Sequence, residues 1–169
     1  MRNKFEKTLA AFTLLEVIIV LIIIGIVAGI AVPIYTSAAS IQLKTAADVV
    51  ASDLEYAKNM AISTGKSYSV VFDTTAESYS IEDSGGQVIS HPVHIGASYI
   101  VNFKRDSRLN QVDIASTTFG AANTIKFDNI GAPSYGTGNV SGNNFVQLRA
   151  GGNTMKVKIE SVTGYISIE

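Results

Sequence analysis

The sequence predicts an α+β protein in which one long N-terminal helix, apolar through its first half, precedes an antiparallel β-sheet domain. An almost unbroken apolar block from Val17 to Ile34 predicts the first half of that helix. Beyond Tyr35 apolar residues recur at alternating spacings of four and three, which predicts its continuation. From Ser67 onward the period falls to two, which predicts strands. A chain of 169 residues has room for one domain of about 100–200 residues besides a targeting segment. Net charge is −1, from 13 basic and 14 acidic residues, so no global field favours nucleic acid or an anionic surface. The absence of cysteine excludes disulfide frameworks, thiolate zinc sites and thiol nucleophiles.

Residues 1–11 carry Arg2, Lys4 and Lys7 against Glu6, immediately before the apolar run. That bias keeps this end cytoplasmic and directs the remainder outward. As a helix, residues 12–35 would rise about 36 Å at ~1.5 Å each, enough for the ~30 Å hydrocarbon core of a bilayer. This segment is therefore expected to be transmembrane. It is too long for the apolar region of a secretory signal, about 7–15 residues, which leaves a plain signal anchor as the alternative. Glu16 weighs against the plain anchor, because an ionisable side chain inside an apolar segment tends to pair or to mark function.

The run Lys7-Thr8-Leu9-Ala10-Ala11-Phe12-Thr13-Leu14-Leu15-Glu16-Val17, followed by the apolar block, resembles the cleavage and methylation site of type IV prepilins and pseudopilins. The resemblance implies a cytoplasmic leader of residues 1–11, cut by prepilin peptidase between Ala11 and Phe12, with N-methylation of the new Phe12 amine. It makes Glu16 the fifth mature residue, as the family pattern requires. The chain departs from that pattern at Ala11, where the family prefers glycine. A charged amine and a carboxylate each cost several kcal/mol when alone in low dielectric. The resemblance thus implies that Phe12 of one subunit docks against Glu16 of its neighbour during assembly. It further implies a single-pass protein of the bacterial inner membrane with an extracytoplasmic C-terminal domain and no cofactor. Its implied partners are prepilin peptidase, other pilin or pseudopilin subunits, the inner-membrane assembly platform and membrane lipid.

Gly25, Gly29 and Pro33 recur every four residues and share one helical face. Two readings stand: a kink, since the Pro33 ring crowds the Gly29 carbonyl, or close helix packing through Gly25 and Gly29. The position of Pro33 resembles the helix-breaking proline of pilins, which implies flexibility.

Residues 36–65 form the amphipathic continuation. Leu43, Ala47, Val50, Leu54, Ala57 and Ala61 make one apolar face, and Gly65 is the expected cap after a helix ending near Thr64. Residues 66–169 form the β domain. Tyr68, Val70 and Phe72 alternate with shorter or polar residues, as do Met155, Val157 and Ile159 with Lys156, Lys158 and Glu160. Further strands are expected over 78–82, 87–90, 99–104, 124–128, 145–149 and 165–168, joined by turns such as Ser84-Gly85-Gly86 and Gly151-Gly152-Asn153. The Gly-, Ser- and Asn-rich stretch from Gly131 to Asn144 is expected to be an exposed loop.

Three segments resemble the H-type minor pseudopilins and related minor pilins: Tyr56-Ala57-Lys58-Asn59-Met60-Ala61, Ile125-Lys126-Phe127-Asp128-Asn129-Ile130-Gly131 and Thr163-Gly164-Tyr165-Ile166-Ser167-Ile168. Those relatives are low-abundance subunits that initiate or cap a type II secretion pseudopilus or a type IV pilus.

No catalytic constellation is legible. His91 and His94 fall in an expected loop without cysteine or an adjacent carboxylate, which suits solvent exposure better than a zinc site. Neither a nucleophile elbow nor a phosphate loop occurs, and Asp73, Glu77, Glu82 and Asp83 lack EF-hand spacing. The chain is read as a non-enzyme. Some minor pilins capture DNA, and Lys104, Arg105 and Arg108 are the densest basic cluster outside the leader. Loss of the leader would leave 10 basic and 13 acidic residues, a net charge of about −3, which opposes phosphate binding.

Overall fold

In the computed structural model of the chain, residues 13–119, 123–135 and 144–169 are described, and of 30–37 only the helical backbone. The chain divides into two compact units, Met1–Ser37 and Ala38–Glu169. Helix α1, Leu14–Thr64, supplies the described part of the first unit and opens the second.

In the first unit the helix starts where Thr13 can satisfy its free N–H groups. Thr13 Oγ1 accepts the Glu16 N–H at 3.2 Å, and the Thr13 carbonyl accepts those of Glu16 at 3.0 Å and Val17 at 3.2 Å. Thr13-Leu14-Leu15-Glu16 thus has the Thr-x-x-Glu spacing of a capping box. It also places a carboxylate in the first turn, at the positive end of the helix dipole. From Leu14 to Val27 every large apolar side chain is exposed, on all sides of the helix. Among the described residues no helix is long and apolar enough to cross a membrane. The described side chains of the apolar run stop at Gly29. The expected span 12–35 extends past them at both ends.

Among its described residues the second unit holds the remainder of α1 and nine strands: β1 Tyr68–Asp73, β2 Ser78–Glu82, β3 Ile100–Asn102, β4 Asp113–Thr117, β5 Thr124–Phe127, β6 Pro133–Ser134, β7 Asn144–Ala150, β8 Asn153–Ile159 and β9 Ile166–Ile168. They form a five-stranded sheet, β3-β2-β1-β5-β6, and a four-stranded sheet, β4-β7-β8-β9. Every pairing is antiparallel.

The expected helical stripe is the core-facing one. Leu43, Ala47, Val50, Leu54, Ala57 and Ala61 are all buried, joined by Ala39 and Ala46. They belong to one cluster with Val70, Phe72, Tyr79 and Ile81 of the first sheet and Val146, Leu148, Val157 and Ile159 of the second. The alanines keep this face of the helix low. The large payload comes from Leu43 and Leu54, whose truncation would each cost about 2–5 kcal/mol. After Thr64 the chain leaves the helix at Gly65 in the left-handed conformation, φ 66°.

Strands depart from expectation where side-chain alternation fails. Residues 87–90 are no strand: they contribute only isolated bridges, Glu82 to Val88 and Ser90 to Ser98. The Asp83–Gly86 turn does form, closed by the Gly86 N–H on the Asp83 carbonyl at 3.0 Å. Strand β4 escaped notice because its register shifts between Ile114 and Ser116, which spoils the period of two. The expected exposed loop Gly131–Asn144 begins instead as structure: Gly131 and Pro133 are buried, and β6 pairs with β5. Its residues 136–143 lie outside the described ones.

The three segments singled out in the sequence meet at one end of this unit. Lys58 on α1 donates from Nζ to the Gly164 carbonyl at 3.0 Å and to Glu55 Oε1 at 3.0 Å. A Cβ on Gly164 would stand 2.5 Å from the Gly131 carbonyl oxygen, at a φ of 63° that side chains rarely adopt. Gly65, at φ 66°, has open space around it. Gly164→Ala is therefore expected to cost clearly more stability than Gly65→Ala, which bears only backbone strain of about 1 kcal/mol. Chemical denaturation of the two variants checks the order.

Candidate functional site

The residues singled out in the sequence lie at the start of α1, in the loop after β3 and in the loop after β2. The cleavage residues Ala11 and Phe12 lie outside the described residues. Glu16 is exposed in the first turn of α1, and its backbone N–H is capped by Thr13. Gly25 and Gly29 have no atom within 4 Å of where a Cβ would stand, so that face of the helix is open. Pro33 sits in continuous helical backbone, and its side chain lies outside the described residues.

The basic cluster is largely engaged within its own loop. Lys104 donates from Nζ to the carbonyls of Asn110 at 3.3 Å and Val112 at 3.2 Å and to Asp113 Oδ1 at 2.6 Å. These bonds fix the approach to β4. Arg108 forks onto Asp106, Nη2 to Oδ2 at 2.7 Å and Nε to Oδ1 at 3.1 Å. Hydrogen bonds from Arg108 hold the Asp106 carboxyl below its ordinary value. Only Arg105 leaves its guanidinium without a protein partner among the described residues.

Sequence reasoning missed a polar network centred on Asp53. Asp53 of α1 accepts Tyr79 Oη at 2.6 Å and Tyr99 Oη at 2.8 Å. Burial raises the Asp53 pKa, and the two phenols and the nearby His91 offset this in part. Burial also pushes Tyr79 and Tyr99 up, reinforced by the Asp53 charge. Tyr99 is sandwiched between Tyr56, with ring centroids 5.5 Å apart, and His91, 4.5 Å away. His91 is half-buried rather than fully exposed, and its Nδ1 accepts the N–H groups of Val93 at 3.1 Å and His94 at 3.2 Å. His94 is exposed, as expected. No group of three or more potential ligands that could hold a metal occurs among the described residues. Asp53 shows no signal in the sequence, because its partners lie 26 and 46 residues away.

The network predicts a pH dependence. Tyr79 and Tyr99 have folded pKa values above their unfolded value near 10. Their contribution to stability is complete below about pH 10 and is lost as pH rises through the folded values, because the unfolded chain releases protons first. Tyr79→Phe is expected to reduce stability by about 1–3 kcal/mol at neutral pH, by leaving Asp53 one donor short. It should also flatten the decline above about pH 10. Urea midpoints across that range measure both effects.

No protein-family model matches the sequence, and no curated protein matches it. Solved structures do resemble it. The minor pseudopilin EpsH of the Vibrio cholerae type 2 secretion system matches with a TM-score of 0.55 at 12% identity, over 76% of this chain and 96% of that one. The type IV minor pilin FimU of Pseudomonas aeruginosa matches with a TM-score of 0.51 at 18% identity, over 75% of this chain and 87% of that one. A second crystal form of FimU gives 0.50 at 17% identity.

Proposed function

We propose that this chain, whose fold is that of the type IV pilins, is a minor pseudopilin or minor pilin. On this reading it is a structural subunit that helps to initiate or cap a type II secretion pseudopilus or a type IV pilus. One observation carries the reading: a helix apolar on all sides from Leu14 to Val27, with its one carboxylate, Glu16, in the first turn, belongs to the same chain as a pilin-like domain. A helix exposing apolar side chains around its whole circumference is not stable against water and calls for lipid or other apolar helices. Residues 12–35 then anchor the precursor in the bacterial inner membrane, with the domain outside the cytoplasm.

Processing completes the device. Prepilin peptidase removes residues 1–11 between Ala11 and Phe12, and the N-methylated Phe12 amine becomes the cation that meets Glu16 of a neighbouring subunit. Each group relieves the cost of the other in low dielectric. Within its own chain, Glu16 stands in the first turn of α1, where the helix dipole favours a carboxylate. Gly25, Gly29 and Pro33 give the segment room to adjust as it enters the assembly. The domain supplies the contacts with other pilin-like subunits and the inner-membrane platform.

Mass spectrometry of the mature protein is expected to find N-methylated Phe12 at the start. An intact Met1 would overturn processing. Glu16→Ala is expected to leave membrane insertion unchanged and to reduce co-purification with other pilin-like subunits about tenfold, the equivalent of ~1.4 kcal/mol. Unaltered co-purification would remove Glu16 from the assembly mechanism.

A further inference from the structure

A cleft of about 610 Å³ opens between α1 and the loops that follow β2 and β3, lined by Asp53, His91, His94, Tyr99, Arg105 and Arg108 among others. Its dimensions fall within the usual range of ligand pockets, about 300–1,000 Å³. One wall is rigid. Tyr56, Tyr99 and His91 stack in succession, and His94 packs edge-on against His91 at 4.5 Å. The other wall is the 102–109 loop, pinned by the Asn102 Oδ1 contact to the Arg105 N–H at 3.1 Å and by the Lys104 bonds to the start of β4.

The polar groups of this cleft do not balance. Both carboxylates are already supplied with donors: Asp53 by two phenols, Asp106 by Arg108. Arg105 retains a whole guanidinium fork without a protein partner among the described residues, and His91 and His94 line the same cleft. A cleft with surplus donors around a fixed aromatic wall suits an acceptor-rich, anionic ligand. A carboxylate matches the guanidinium fork with two parallel hydrogen bonds.

We propose that this cleft binds an acidic peptide segment of another protein, with an Asp or Glu carboxylate seated on Arg105. Nucleic acid fits it less well. A polyphosphate needs a row of free cations, whereas Lys104 is turned to carbonyl groups and Arg108 is held by Asp106. The site lies wholly on the second unit and does not depend on the filament reading, so its test is independent of N-terminal processing.

The test is fluorescence anisotropy on the full-length chain in detergent micelles, with a labelled pentaglutamate peptide as probe. Pentaglutamine and a short oligothymidylate serve as comparators. Pentaglutamate is expected to bind at least tenfold more tightly than either. Arg105→Gln, at an exposed position, is expected to weaken it by about tenfold, in line with loss of one charge-assisted pair. Lys66→Gln, an exposed cation outside the cleft, is expected to change it by less than about twofold. Four results would overturn the proposal: no pentaglutamate binding, equal binding of pentaglutamine, tighter binding of oligothymidylate, or equal losses in the Arg105 and Lys66 variants.

Discussion

Burial of one low-relief stripe on α1 is the constraint on which the second unit depends. Ala46, Ala47, Ala57 and Ala61 are buried with Leu43, Val50 and Leu54 in one cluster that also holds residues of both sheets. Large side chains at the alanine positions would push the sheets away, and small ones at the leucines would leave cavities. The aromatic residues gathered above the stripe, among them Phe72, Tyr79, Phe103 and Phe119, can then pack ring against ring.

From that docking follows the placement of polar groups that would otherwise be costly. Asp53 borders the stripe and enters a partly buried setting, where Tyr79 and Tyr99 supply the donors that water no longer does. Lys58 lies one turn further along and reaches the Gly164 carbonyl, which brings the turn before β9 against the turn between β5 and β6. Without a side chain at Gly131 or Gly164, the two backbones meet directly. The helix is thus the reference to which both sheets and their turns are fitted.

The first unit has the opposite character. Among its described residues, the large apolar side chains from Leu14 to Val27 are all exposed. The second unit buries its apolar residues in one core, whereas a helix exposing apolar side chains all round calls for an apolar environment.

Local patterns were legible in the sequence. The apolar run, the buried face of α1, the Gly65 cap and the strands with clean alternation, such as β1 and β8, all follow from period and from neighbours a few residues apart. Strand β4 was hidden by its bulge, β6 by its brevity, and residues 87–90 resembled a strand they do not form. The three motif segments could be quoted from the sequence, but their meeting around Lys58 could not. Likewise, the basic cluster was visible as Lys104, Arg105 and Arg108, but which of them remains available depends on Asp113 and Asp106. The sequence by itself determined the periodic elements and the charge at the helix start, because these depend on residues within a turn or two of one another. Only the tertiary structure decided the Asp53 network and the lining of the cleft, because these depend on side chains brought together from distant segments by the packing of the sheets on α1.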